Sequence, residues 1–229
     1  MRVLELLRWE TARLVRSVDS LDDDRLAGPS LLPGWSRAHV VAHLALNAEG
    51  LARALEGLRQ GAPVPQYDSA EARARDIEVL AAARPADLRD RFLASTTTLV
   101  DALAALPAEI RDGLLEQRPG GPSYRAGDVP AKRVTEVVLH HVDLDAGHGL
   151  RDIHPEAGGV VLDLLGPRLA RMGALELHAT DLDRHWAGDA GPGGTVVSGR
   201  AAEIAWWLSG RGTVADLQVD GDLPEVRPW

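Results

Sequence analysis

Apolar residues at Val3, Leu6, Leu7, Leu14 and Val18 recur at three- and four-residue steps and predict an amphipathic helix from about residue 2 to 19. The acidic, turn-rich DSLDDDRLAGPS ends it. LLPGW leads into a second helix, with Ser36 as N-cap and Val40, Leu44, Leu51 and Leu55 along an inward stripe. Gly61 and Pro63 stop that helix. Alanine-rich sequence from Ser69 to Ala83 predicts a shorter third helix, and Pro85 opens a longer one through Phe92, Leu99 and Leu103 to Leu106. PGGPSYRAGDVP reads as a loop or short hairpin before a helix from about Ala131 to Ala146, which carries Val134, Val137, Val138 and Leu144. That helix completes a bundle of four main helices.

The pattern changes after GHGLRDIHPEAGG. A helix around Val160 to Arg171 precedes short extended segments near Leu175 to His178, Thr195 to Val197 and Asp216 to Val219, with a helix from Ala201 to Leu208 between the last two. The fold expected is mostly α, with a helical bundle over 1–151 followed by a smaller α+β domain over 152–229.

With 45% apolar and 26% charged residues, the chain has the composition of a globular protein. No apolar run approaches the roughly 18 to 20 residues of a membrane span, and MRVLELLRWETARLVRS carries charges where a signal peptide has an apolar centre. No membrane partner is expected, and the expected compartment is the cytoplasm. A net charge of -9 argues against nucleic-acid binding, which needs a basic surface to displace phosphate counterions. Small molecules are the expected partners. There is no cysteine, so any thiol chemistry needs a thiol from outside the chain.

Among the eight histidines, His39 and His43 lie on the second helix and His140 and His141 on the last bundle helix. Glu136 and His140 stand at i and i+4, so both side chains project from one helix face, a turn apart. An imidazole from a facing helix would complete a chelating set of the kind helical bundles build, and His43, on a stripe with Leu44, Asn47 and Leu51, is the candidate. Two histidines and a glutamate leave a coordination position open, as in catalytic zinc sites. The spacing also admits an ordinary surface i,i+4 pair, and His39 with His43 is a rival ligand pair. His141 faces roughly 100° away from His140. Asp143 and Asn47 are candidates for orienting the ligands by hydrogen bonds. Arg200 and Arg211 stand at glycine-flanked bends of VVSGRAAEIAWWLSGRG, where a guanidinium fork could clamp a carboxylate.

Four segments resemble the mycothiol-dependent maleylpyruvate isomerase family, within the DinB-like metal-binding helical bundles. They are SLLPGWSRAHVVAHLALNAEGL (30–51), PQYDSAEARARDIE (65–78), TEVVLHHVDLDAG (135–147) and VVSGRAAEIAWWLSGRG (196–212), and the closing DGDLPEVRPW is similar too. The resemblance implies an N-terminal DinB-like four-helix bundle with zinc or another divalent metal on His43, Glu136 and His140, which favours His43 over His39. It implies mycothiol, a low-molecular-weight thiol, as cofactor and a catalytic role for Arg211. It also implies conversion of maleylpyruvate to fumarylpyruvate in aromatic catabolism, by reversible thiol addition. Relatives of this kind leave two other readings open: a mycothiol S-transferase on the same metal site, and a non-catalytic metal- or thiol-sensing module.

Overall fold

The computed structural model describes residues 3–188, 194–212 and 214–227. Residue 2, where the first helix is expected to begin, and the last two residues of DGDLPEVRPW lie outside them. The described residues form eight α-helices and six short strands, a mostly α fold with a smaller sheet region. The chain divides into two compact units, one of Thr11–Gly147 and the other of Met1–Glu10 with His148–Trp229. The first helix, α1 (Val3–Asp19), spans that division. The expected domain line stood between 151 and 152, with the first residues in the bundle. Here Glu10 Oε1 accepts from the His154 N–H at 3.3 Å, and Trp9 meets the His154 ring edge-on at 5.6 Å. Such long-range pairing leaves no trace in local periodicity.

In the first unit α1 is followed by α2 (Asp23–Ala27), α3 (Arg37–Arg59), α4 (Ala70–Ala81), α5 (Pro85–Ala104) and α6 (Val129–Asp143). The short α2 falls within the segment read as a turn, and Asp22 caps it by accepting from Arg25 N–H. Ser36 caps α3 by accepting from the His39 N–H, and the His39 ring accepts from Ser36 N–H in return. Gln60 closes α3, and Gly61 supplies the positive φ of 71° that turns the chain away. Strand β1 (Leu114–Glu116) pairs antiparallel with β2 (Ser123–Arg125). PGGPSYRAGDVP, read as a loop or short hairpin, holds the turn and β2, and β1 lies upstream of that segment.

Helix α3 is the core element of this unit. Val40, Val41, Ala42, Leu44, Ala45, Ala48, Leu51, Ala54 and Leu55 are all buried, so apolar contact surrounds the helix instead of following one stripe. Burying each Leu or Val contributes about 1.5 to 3 kcal/mol, and alanine at the other positions lets neighbouring helices come close. Any polar side chain on the same helix is consequently taken out of water and must find a partner. His43 and Asn47 are in that position.

The second unit holds α7 (Pro155–Leu165), β3 (Leu175–Ala179), β4 (Arg184–Ala187), β5 (Thr195–Gly199), α8 (Ala201–Leu208) and β6 (Gln218–Asp220). Its sheet has the order β4-β3-β5-β6, with β3 and β5 parallel and both outer pairs antiparallel. Leu175, Leu177 and Ala179 alternate onto the buried face of β3, and Leu177 is paired with Val197. Helix α8 covers β3 and β5 and packs on α7. A Cβ at Gly158 would stand 2.6 Å from Ala202 N, so α7 and α8 approach closely only because that residue has no side chain.

Candidate metal centre

Helices α3 and α6 bring His43, Glu136 and His140 together. Glu136 Oε2 lies 2.9 Å from His43 Nε2 and 3.3 Å from His140 Nε2. One ligand-type atom from each of the three falls within 4.8 Å of the others. Both imidazoles are buried, and they meet edge to face at 4.7 Å. His140 Nδ1 lies 2.8 Å from Asp143 Oδ2, a buried carboxylate one turn further along α6. Trp35, from the LLPGW segment, packs its ring 5.8 Å from that of His43.

The rival His39 is elsewhere engaged. Its Nδ1 is in the α3 capping box with Ser36, and its Nε2 lies 3.1 Å from Glu78 Oε2. His141 Nε2 lies 2.7 Å from Ser17 Oγ. Neither ring joins the cluster.

Burial and charge give the three groups different protonation states. Burial dominates at His43 and lowers its pKa to about 4, against the opposing hydrogen bond to Glu136, so the ring is neutral at ordinary pH. Burial alone would raise the Glu136 pKa, but hydrogen bonds to His140 and His43 outweigh it and hold the carboxyl well below its usual range. Burial would likewise lower His140, yet Asp143 and Glu136 together raise it. A neutral imidazole, a carboxylate and an imidazole that readily gains a proton thus share one site, with both rings buried and Glu136 partly exposed.

This donor set fits a divalent cation. Two imidazole nitrogens converge with a carboxylate oxygen, and Asp143 stands behind one ring, as carboxylates do in histidine metal sites.

Several residues near the centre escaped the sequence reading. Arg73 of α4 places Nη2 3.0 Å from His43 Nδ1, and its guanidinium also lies over the Tyr67 ring at 5.5 Å. Tyr67 lies close because α3 carries Gly50, where a Cβ would meet Gln66 O at 2.6 Å; the segment after α3 rests directly on the helix. Tyr67 and Arg73 line a cleft of ≈ 140 Å³ with Arg53, Gln66, Asp76 and Arg91. Asn47 Nδ2 donates to Tyr67 Oη at 3.3 Å, and Arg133 Nη1 donates to Asn47 Oδ1 at 2.7 Å. Lys132 lies over the Tyr124 ring at 4.6 Å, and Tyr124 Oη donates to Gln66 Oε1.

Two comparisons place the chain among known proteins. The model of a family described as the mycothiol maleylpyruvate isomerase N-terminal domain matches residues 7–145, more than half of the chain. The chain belongs to that family. It is an enzyme of this family by structure as well: two crystal structures match, one of the mycothiol-dependent maleylpyruvate isomerase and one of its histidine-to-alanine mutant. Each match has a TM-score of 0.86 and 26% identity, and covers 99% of this chain and 95% of the other. A comparison with curated proteins finds no match.

Arg211, the remaining candidate of the sequence reading, belongs to the second compact unit. It follows α8 between Gly210 and Gly212, both with positive φ, and its guanidinium lies 5.6 Å from the Trp206 ring centroid. Arg200 stands at the N-cap of α8, with Nε 3.8 Å from Asp181 Oδ2. A further group, His178, Asp183 and His185, sits on the β3–β4 pair. Its two rings stack face to face at 4.2 Å and Asp183 is almost fully exposed, which suits a cross-strand surface contact. No helix among the described residues is long and apolar enough to cross a membrane.

Proposed function

We propose that this enzyme is a zinc- and mycothiol-dependent cis-trans isomerase that converts maleylpyruvate to fumarylpyruvate. The observation that carries the reading is the convergence of His43, Glu136 and His140 in a buried site, in a chain similar over nearly its whole length to a mycothiol-dependent maleylpyruvate isomerase. Bound there, a divalent ion supplies the positive charge that keeps a thiol ionised near neutral pH, and the thiol supplies reversible addition to a conjugated double bond.

The chain's own residues do the rest. His43 and His140 offer Nε2 and Glu136 offers a carboxylate oxygen, while Asp143 holds the His140 ring in orientation through Nδ1. Trp35 and the surrounding apolar residues of α3 exclude water from one side of the site. Without a cysteine the chain has no thiolate of its own, which suits a nucleophile that arrives with the cofactor. Arg211 binds a substrate carboxylate with its guanidinium fork and offsets the enolate charge that develops on addition.

The balance of thiol separates this from conjugation on the same site. Purified protein with zinc, maleylpyruvate and sub-stoichiometric mycothiol is expected to yield fumarylpyruvate over many turnovers with the thiol recovered. Consumption of one mycothiol per substrate would identify an S-transferase instead.

A further inference from the structure

The edge of the second unit's sheet carries a separate group of ligand-type side chains. Leu175, Leu177 and Ala179 take the buried face of β3, so Glu176 and His178 stand on the other. His185 of β4 is paired directly opposite His178, which puts it on that same face. The turn between the strands returns Asp183 to the pair, with Oδ1 3.8 Å from His178 Nε2. One ligand-type atom from each of His178, Asp183 and His185 falls within 4.8 Å of the others.

Stacking accounts for the two rings but not for the carboxylates around them. Asp183 has a φ of 50°, a left-handed conformation that glycine adopts at less cost, and the residue there sets a carboxylate beside an imidazole. Glu176 Oε1 lies 2.8 Å from His185 Nδ1, the position from which a carboxylate orients a histidine and leaves Nε2 for a metal. Arg184, the basic neighbour on β4, alternates to the opposite face and pairs with Asp163 at 2.8 Å, so it does not neutralise either carboxylate.

We infer that His178, His185 and Asp183 form a second, surface site for zinc or copper(II), with Glu176 holding the His185 ring. Two imidazoles and a carboxylate are donors that these two ions share, whereas magnesium and calcium take oxygen ligands. His178 and Asp183, at 3.8 Å, stand slightly wider than the roughly 3.3 Å that bonds of about 2.0–2.1 Å set between donors on a tetrahedral ion. The stacked rings lie parallel, so binding turns the exposed His185 ring until both Nε2 atoms face the ion, exchanging the stack for two metal bonds. Ordering exposed side chains costs conformational entropy, so this site is weaker than the buried centre and loses its ion on desalting. Filled, it clips the edge strand β4 to β3.

Zinc titration of the full-length protein, followed by calorimetry and by melting temperature, tests the site independently of what the buried centre holds. The wild type is expected to take up one ion per chain more than His185→Gln, and to gain more in melting temperature from added zinc. Asp183→Asn keeps a residue that tolerates the left-handed backbone but removes the charge, and Glu176→Gln loosens the support of the His185 ring. Each should weaken the extra ion about tenfold. Equal zinc stoichiometry in wild type and His185→Gln overturns the site and leaves a cross-strand contact only. An extra ion that both carboxylate variants hold as tightly as the wild type overturns it too. Should His185→Gln fold poorly, a zinc-soaked crystal of the wild-type protein decides: an anomalous zinc peak between His178 and His185 is expected, and its absence contradicts the proposal.

Discussion

Arg73 sets a condition on His43. With a guanidinium donor 3.0 Å from Nδ1, the neutral ring accepts there and carries its proton on Nε2, which it donates to Glu136. Ligation through Nε2 needs the opposite tautomer, with the proton on Nδ1, so Arg73 must leave that nitrogen when a metal binds. Arg73→Ala should therefore bind zinc about tenfold more tightly in a chelator competition, the scale of one hydrogen bond to a charged group; weaker binding would show that Arg73 supports the site. His140 adds a pH dependence. Its pKa is raised above the usual histidine value, so proton and metal compete for it, while His43 is neutral down to about 4 and Glu136 stays ionised. Zinc affinity should fall about tenfold per pH unit below the His140 pKa and level off above it. A flat profile through that range would remove His140 from the ligand set.

At the scale of elements, α3 positions the site, and its cap is the simplest place to weaken it. Ser36→Ala removes the side-chain acceptor for the His39 N–H and should cost about 1 kcal/mol, a fall of about 2 to 4 °C in melting temperature. An unchanged Tm would mean that the loop before α3 holds the helix start without the cap. Ser36 was legible in the sequence because caps obey local rules, as were the long helices. Helix α2, with five residues, is too short to show a period. Strand β4, RHWA, has no apolar alternation, and its pairing with β3 defines it. The same divide runs through the site. Glu136 and His140 announced themselves by i,i+4 spacing and His43 by its inward stripe. Arg133 shares their stripe, but an arginine has no chelating habit to single it out. Arg73 and Tyr67 arrive through the packing of α4 and a loop on Gly50, which no spacing along the chain encodes.

At the scale of the whole molecule, the candidate metal ligands and Arg211 are drawn from different compact units. If Arg211 stabilises charge that develops in the reaction, Arg211→Ala should lower turnover about 10² to 10³-fold with metal content unchanged, and Arg211→Lys should remain impaired because it lacks the fork. A rise in KM at preserved kcat would assign Arg211 to ground-state binding alone, and wild-type kinetics in both variants would make it a bystander. The central claim, that His43, Glu136 and His140 hold the metal on which turnover depends, is tested most directly by measuring zinc content and maleylpyruvate isomerisation together in wild-type and Glu136→Ala proteins. The wild type is expected to hold one ion per chain and to isomerise. Glu136→Ala should lose both while keeping its helical circular dichroism, and a Glu136→Ala protein with full zinc and full turnover would contradict the account.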